Sequence, residues 1–191
     1  MEIKSSKFVL SVANKGGLCC FDKPQFAFVG RSNVGKSSLI NSLARCKIAK
    51  TSQTPGRTRL VNYFLMNDQF YLVDLPGYGY HKASKSDESA WVPLIESYLS
   101  NNSSLKICFV LVDCRHQPTE NDVLMIKYLY YYQIPFQIVA TKCDKLSRAA
   151  LDKNLGMIAS ALAVGKGDIL PFSQEKQLGR QQILDMIEKR I

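Results

Sequence analysis

Gly30-Arg31-Ser32-Asn33-Val34-Gly35-Lys36-Ser37 is the stretch on which the fold turns. It reads G-x-x-x-x-G-K-S. The strand-length apolar run Phe26-Ala27-Phe28-Val29 precedes it, and Ser38-Leu39-Ile40-Asn41-Ser42-Leu43 opens a helical pattern after it. A strand feeding a glycine-rich turn into a helix N-terminus aims several backbone N–H groups at one point. The helix dipole adds partial positive charge there, so a phosphate chain is the natural ligand. In that arrangement the loop from Gly30 through Arg31, Ser32, Asn33 and Val34 to Gly35 wraps the phosphates. Lys36 neutralises the β- and γ-phosphates, and the Ser37 hydroxyl ligates Mg²⁺.

Outward from this loop, strands and helices alternate. Leu60 to Met66 and Gln69 to Val73 read as two strands joined by a turn at Asn67-Asp68, a hairpin. A helix around Asp87 to Leu99 follows, with Trp91, Leu94, Ile95 and Tyr98 on one apolar face and Pro93 expected in its first turn or at a kink. Lys106 to Val112 and Phe136 to Ala140 are continuous apolar runs suited to strands covered on both faces. Thr119 to Tyr131 reads as a helix with Thr119 or Asn121 as its cap, and Arg148 to Ala163 as another. Ile169 to Phe172 is a last short strand and Glu175 to Ile191 a last helix. The alternation predicts an α/β fold with a largely parallel sheet of six strands, one antiparallel through the hairpin, and ligands at the carboxyl ends of the strands. Met1 to Lys7 is expected to be loose.

Bulk composition sets the class. The 191 residues suit one domain with a sizeable core, and 46% hydrophobic with 21% charged residues is ordinary for a globular protein. No apolar run reaches the roughly 20 residues that cross a bilayer. The N-terminus lacks a signal-peptide core, which points to the cytoplasm and away from membranes. The six cysteines (Cys19, Cys20, Cys46, Cys108, Cys114 and Cys143) show no C-x-x-C spacing, so they read as reduced thiols rather than a zinc or disulfide framework. The net charge of +9 is uneven. From Lys23 to Asn67 there is no acidic residue, and that stretch holds Lys23, Arg31, Lys36, Arg45, Lys47, Lys50, Arg57 and Arg59. Phosphates use only some of these groups. The rest point either to a polyanionic partner such as RNA or to a merely solvated basic surface.

Two further motifs follow strands on the same sheet edge. Asp74-Leu75-Pro76-Gly77 is D-x-x-G, about forty residues beyond the loop. Its carboxylate can reach Mg²⁺ through a water, and the Gly77 N–H can meet a γ-phosphate. Thr141-Lys142-Cys143-Asp144 resembles the N/T-K-x-D guanine motif. Guanine offers two parallel donors, N1–H and the 2-amino group, to the Asp144 carboxylate, whereas adenine would leave that charge unpaired. The stem of Lys142 can cover a base face. Phe172-Ser173-Gln174, after the last strand, can offer backbone N–H groups to guanine O6.

Together these residues resemble the EngB (YihA/YsxC) family of bacterial GTPases, through Gly30 to Ser38, Pro55-Gly56-Arg57-Thr58, Asp74 to Tyr80, Thr141 to Asp144 and Phe172-Ser173. The resemblance implies a three-layer P-loop GTPase fold like that of Ras, with residues 23–191 as the GTP-binding domain and residues 1–22 as an extension packed on it. It implies a GTP/GDP switch assisting assembly of the large ribosomal subunit, through rRNA and ribosomal proteins, and normal cell division. It widens the nucleotide-binding set to Gly56, Arg57, Thr58, Arg59 and Leu60, makes Thr58 a Mg²⁺ ligand beside Ser37, and casts Lys36, Thr58 and Gly77 as the catalytic groups. Thr54 is the rival for the metal role. A monomer is expected. The residue after D-x-x-G is Tyr78, where Ras-like enzymes usually carry a glutamine that orients the attacking water, so slow intrinsic hydrolysis follows. Asn33 is either a K⁺-associated residue, as in similar GTPases, or a loop hydrogen-bonder. Two other classes remain to be weighed: a P-loop ATPase or kinase, disfavoured by Asp144, and an RNA-binding module with a degenerate pocket, disfavoured by intact Lys36, Ser37, Asp74 and Asp144.

Overall fold

The computed structural model describes residues 1–18, 21–50, 60–79, 85–100 and 102–191, with residues 85–92 described by their backbone alone. Within these, the strands are β1 (Ser6–Val12), β2 (Gln25–Gly30), β3 (Val61–Met66), β4 (Phe70–Asp74), β5 (Leu105–Asp113), β6 (Phe136–Thr141) and β7 (Ile169–Pro171). They form one sheet in the order β1-β3-β4-β2-β5-β6-β7. The helices are α1 (Lys36–Ala44), α2 (Lys85–Ser100), α3 (Glu120–Tyr131), α4 (Arg148–Leu162) and α5 (Arg180–Glu188).

Alternation along β2 shows why its run is apolar throughout. Phe26 and Phe28 join the core on the face covered by α1 and α5, with Leu39, Ile40, Leu43, Ile183, Leu184 and Ile187. Ala27 and Val29 turn to the other face, against α2, α3 and α4, through Leu94, Tyr98, Ile126, Leu129, Leu155 and Ile158. Both sheet faces are therefore buried, which is the setting of continuous apolar strands. The β2–β4, β2–β5, β5–β6 and β6–β7 pairs are parallel. Only β3 runs against the rest, pairing antiparallel with both β4 and β1.

The expected six strands become seven, because β1 adds to the outer side of β3. Its residues are mostly half-buried or exposed, and a bulge interrupts its register between Phe8 and Leu10, so it lacks the clean alternation that marks a strand in sequence. Nor are the first residues loose. The Asn67 carbonyl oxygen Oδ1 accepts from the N–H groups of Lys4 (2.7 Å) and Ser5 (3.1 Å), and its amide donates to the Glu2 carbonyl (2.8 Å). The hairpin turn that supplies Asn67 has φ of 50° at Asn67 and 55° at Asp68, the left-handed pair that tight two-residue turns need. The terminal amine also meets Glu188 at 2.8 Å.

Two helices differ from the sequence expectation. The second helix starts at Lys85 rather than Asp87, so Pro93 lies in its middle and of the two expected placements the first turn is excluded. The last helix starts at Arg180, not Glu175, because Ser173 and Leu178 exchange two backbone hydrogen bonds and close residues 174–177 into a turn. That delay places Arg180 where it is used. Its buried guanidinium donates to the carbonyls of Ser42 (2.7 Å) and Leu43 (2.9 Å), acceptors in the last turn of α1 that the helix itself leaves unpaired. Among the described residues, Cys46, Cys108, Cys114 and Cys143 are free thiols, no cluster fit to hold a metal through His, Cys, Asp and Glu alone occurs, and no helix is long and apolar enough to cross a membrane.

Replacing Arg180 with Met keeps the aliphatic stem but orphans two buried carbonyls, a loss of about 3 kcal/mol. Thermal unfolding should then come roughly 6–12 °C earlier than in the wild type for a chain of this size.

Candidate nucleotide site

The last residue of β2 is Gly30 and the first of α1 is Lys36, so the loop between them spans the carboxyl edge of the sheet beside β4 and β5. Gly35, the residue before α1, has φ of 112°, a conformation that side chains resist and that starts the helix at once after the turn. Lys36 is buried, and its Nζ donates to the carbonyls of Gly30 (3.2 Å) and Arg31 (3.4 Å). Those bonds hold the ammonium against the first two residues of the loop.

Asp74 ends β4 in register with Phe28 of β2, and this brings its carboxylate to the start of α1. Ser37 Oγ donates to Asp74 Oδ2 at 3.3 Å, while Asp74 Oδ1 is buried without a hydrogen-bond partner among the described residues. Burial pushes Lys36 below and Asp74 above their usual values, and each charge partly offsets the shift of the other. An under-coordinated buried carboxylate beside a hydroxyl suits a hard divalent cation taking oxygen ligands, so these residues fit Mg²⁺ held by Ser37 with Asp74 behind it.

Beyond β4, the Leu75 N–H donates to the Phe28 carbonyl (3.0 Å), and Leu75 and Pro76 are buried. Gly77 then lies against the phosphate loop. A Cβ placed on it would stand 3.0 Å from Lys36 Nζ and 3.0 Å from both N and Cα of Ser32. Tyr78 next to it is buried, and its hydroxyl donates to Asp122 Oδ1 at 2.8 Å. Burial and the neighbouring carboxylate hold that hydroxyl well above the ordinary tyrosine range, so it stays a donor.

The candidate base-recognition residues follow β6. Thr141 Oγ1 donates to the Val34 carbonyl at 2.7 Å, and Lys142, left-handed with φ of 62°, sends its Nζ to the Asn33 carbonyl at 2.8 Å. Lys142 also pairs with Asp113 Oδ2 (2.9 Å), which Arg115 meets at 2.7 Å. Although burial opposes it, hydrogen bonds from Arg115 and Lys142 hold the Asp113 carboxyl far below its usual value. Asp144 Oδ1 accepts from Ser173 Oγ at 2.7 Å, and Oδ2 lies 3.0 Å from Lys145 Nζ. Burial resists ionisation of Asp144, but the Ser173 hydroxyl and Lys145 outweigh it and keep the carboxyl below its usual value.

The loop, Asp74 to Gly77, Thr141 to Asp144 and Phe172 to Gln174 thus share one sheet edge, as their positions after strands require. The Phe172 to Gln174 expectation changes in detail. The Phe172 N–H donates to the Ala140 carbonyl (2.7 Å) and the Ser173 N–H to that of Leu178 (3.1 Å), which leaves Gln174 N–H as the one of the three not so used among the described residues. Ser173 instead contributes its hydroxyl to Asp144. Asn33 has φ of 62°, which is by itself a reason for asparagine at that position. Leu60 is half-buried just before β3, whereas Thr54, Gly56, Arg57, Thr58 and Arg59 lie outside the described residues. Sequence reasoning missed Asp113 and Asp122. The signal for Asp113 was its position at the end of a strand on the ligand edge.

A phosphate loop, a D-x-x-G segment and a guanine-type carboxylate on one edge of a doubly covered, mostly parallel sheet define a P-loop GTPase domain. A family described as 50S ribosome-binding GTPase matches residues 25–142. The chain is 48% identical to the probable GTP-binding protein EngB of Clostridium kluyveri, over 100% of this chain and 98% of that protein. The protein of the same description from Fusobacterium nucleatum is 46% identical, over 100% and 99%. The chain belongs to the EngB family. Its fold matches a crystal structure of a probable GTP-binding protein EngB with a TM-score of 0.71 at 22% identity, over 86% of this chain and 97% of the other. It matches a variant of Aquifex aeolicus Era bound to GDP·AlF4⁻ with a TM-score of 0.69 at 22% identity, over 90% and 57%.

The depressed Asp113 has a stability signature. Its folded pKa is below the unfolded value, so its contribution is complete above about pH 4 and fades as pH falls toward the folded value. Asp113→Asn should therefore destabilise the chain in denaturant melts at pH 7, with the gap to wild type narrowing once the pH drops below about 4.

Proposed function

We propose that this chain binds GTP with Mg²⁺, hydrolyses it slowly to GDP and phosphate, and uses the two states to control its association with the large ribosomal subunit during assembly, on which normal cell division depends. The observation that carries the reading is Asp144, ionised and oriented by the Ser173 hydroxyl on the same edge as Lys36. A carboxylate fixed in this way matches the paired donors of guanine and rejects adenine. The EngB membership and the description of the matched family, 50S ribosome-binding GTPase, support the ribosomal partner. The uninterrupted basic charge from Lys23 to Asn67 supports a nucleic-acid contact near the nucleotide, with Lys23, Lys47 and Lys50 exposed.

In this reading Gly35 and its neighbours present N–H groups to the phosphates, Lys36 neutralises charge on the β- and γ-phosphates, and Gly77 N–H meets the γ-phosphate. Mg²⁺, when bound through Ser37 and Thr58, supplies electrostatic stabilisation of the charge that develops on the phosphate oxygens. Gly30, Arg31, Ser32, Asn33 and Val34 shape the loop, and Gly56 to Leu60 form the segment that responds to the γ-phosphate. With Tyr78 buried, the residue directly after Gly77 does not orient an attacking water, and in this reading the intrinsic rate is slow.

Asp144→Asn should move preference from GTP toward xanthosine triphosphate by at least tenfold in competition binding, and unchanged GTP selectivity would remove the guanine assignment. Cosedimentation with 50S particles should depend on nucleotide and weaken steeply with salt. A cation role for Asn33 predicts faster hydrolysis in KCl than in NaCl, and equal rates would leave Asn33 a purely conformational residue.

A further inference from the structure

A chain of hydrogen bonds, buried at its Tyr78–Asp122 link, runs from the phosphate loop to α3, and the chemistry above does not use it. The Ser32 N–H donates to the Tyr78 carbonyl at 3.1 Å. The Tyr78 hydroxyl donates to Asp122 Oδ1 at 2.8 Å, and Asp122 Oδ2 accepts from the N–H (2.8 Å) and the hydroxyl (2.7 Å) of Thr119, the residue that caps α3. Asp122 is 2% exposed and Tyr78 2% exposed. A carboxylate this buried is costly unless fully hydrogen-bonded, and it is. Helix capping alone would be served by a carboxylate left in water. Here it is turned inward onto a tyrosine one residue past Gly77.

The consequence falls on Gly77. Tyr78 is held at both ends, by its carbonyl on the loop and by its hydroxyl on α3. That leaves the Gly77 backbone close against Ser32 and Lys36 Nζ, the groups that in the GTP reading would flank the end of the phosphate chain. We propose that Tyr78 and Asp122 are positioning residues that hold the Gly77 N–H where a terminal phosphate meets it, and so favour the triphosphate over the diphosphate. This rests on the GTP reading above. It also assigns work to the tyrosine that stands where a glutamine is usual: its side chain points into the core, away from any attacking water, and acts through the backbone beside it. In the GTP reading the Gly77 N–H meets the terminal phosphate, which GDP lacks, so GDP binding draws less on the Tyr78–Asp122 end of this chain of bonds.

The test compares wild type, Tyr78→Phe and Asp122→Asn as full chains with Mg²⁺, measuring affinity for a fluorescent non-hydrolysable GTP analogue and for fluorescent GDP, with thermal unfolding alongside. Tyr78→Phe keeps the ring packing and removes only the hydroxyl. Loss of one hydrogen bond to a buried carboxylate predicts about tenfold weaker binding of the GTP analogue, with GDP within twofold. Equal weakening of both nucleotides means a merely structural bond and overturns the inference, as does an unchanged or stronger affinity for the GTP analogue. If Asp122→Asn does not fold, Tyr78→Phe decides alone. A wild-type chain that binds no guanine nucleotide overturns the functional reading itself, and this inference with it.

Discussion

The buried hydrogen bond from the Thr141 hydroxyl to the Val34 carbonyl, 2.7 Å long, joins the two halves of the site. Val34 belongs to the loop that surrounds phosphates, and Thr141 ends the strand that leads to Asp144. A nucleotide spans that distance, so its two ends are recognised correctly only if the loops keep a fixed separation. Lys142 reinforces the link by meeting the Asn33 carbonyl, and Asp113 holds Lys142 in place. Four carbonyls of the loop are held by side chains. The carbonyls of Asn33 and Val34 are engaged by Lys142 and Thr141, and those of Gly30 and Arg31 by Lys36.

Around this strap, the protein holds charges where water is excluded. Lys36 and Asp74 are both buried, and desolvation works against each. Such a pair contributes little to stability compared with apolar packing. In the proposed reading its value lies in binding, because a phosphate chain and a divalent cation would supply the charges that both groups lack. The scaffold offsets the cost elsewhere, with apolar packing on both sheet faces and with Arg180 closing the end of α1. Asn41 extends this order past α1, with its amide and carbonyl fixed on the backbone of Ile48 and Ala49.

Much of the site was legible because its motifs are local. The phosphate loop, Asp74 to Gly77 and Thr141 to Asp144 are each short, and each follows its own strand, so the sheet edge collects them without further information. The Asn67-Asp68 turn was legible for the same reason, since two left-handed residues leave a compositional mark. Other features depend on residues far apart in sequence. β1 becomes a strand only because β3 offers it an edge. Ser173 and Asp144 meet across 29 residues, Tyr78 and Asp122 across 44, and no spacing rule connects either pair.

The motifs of the candidate site were therefore written in the sequence itself: the phosphate-loop pattern, the D-x-x-G carboxylate of Asp74 and the T-K-x-D carboxylate of Asp144, each specified by a short run of chain. Tertiary structure alone decided how these groups are held, including which N–H groups near Ser173 are already engaged and why Tyr78 faces inward. The division has a physical cause. Backbone geometry and motif chemistry act over a few residues, whereas the satisfaction of a buried polar group is settled by whichever distant partner the packed core brings to it.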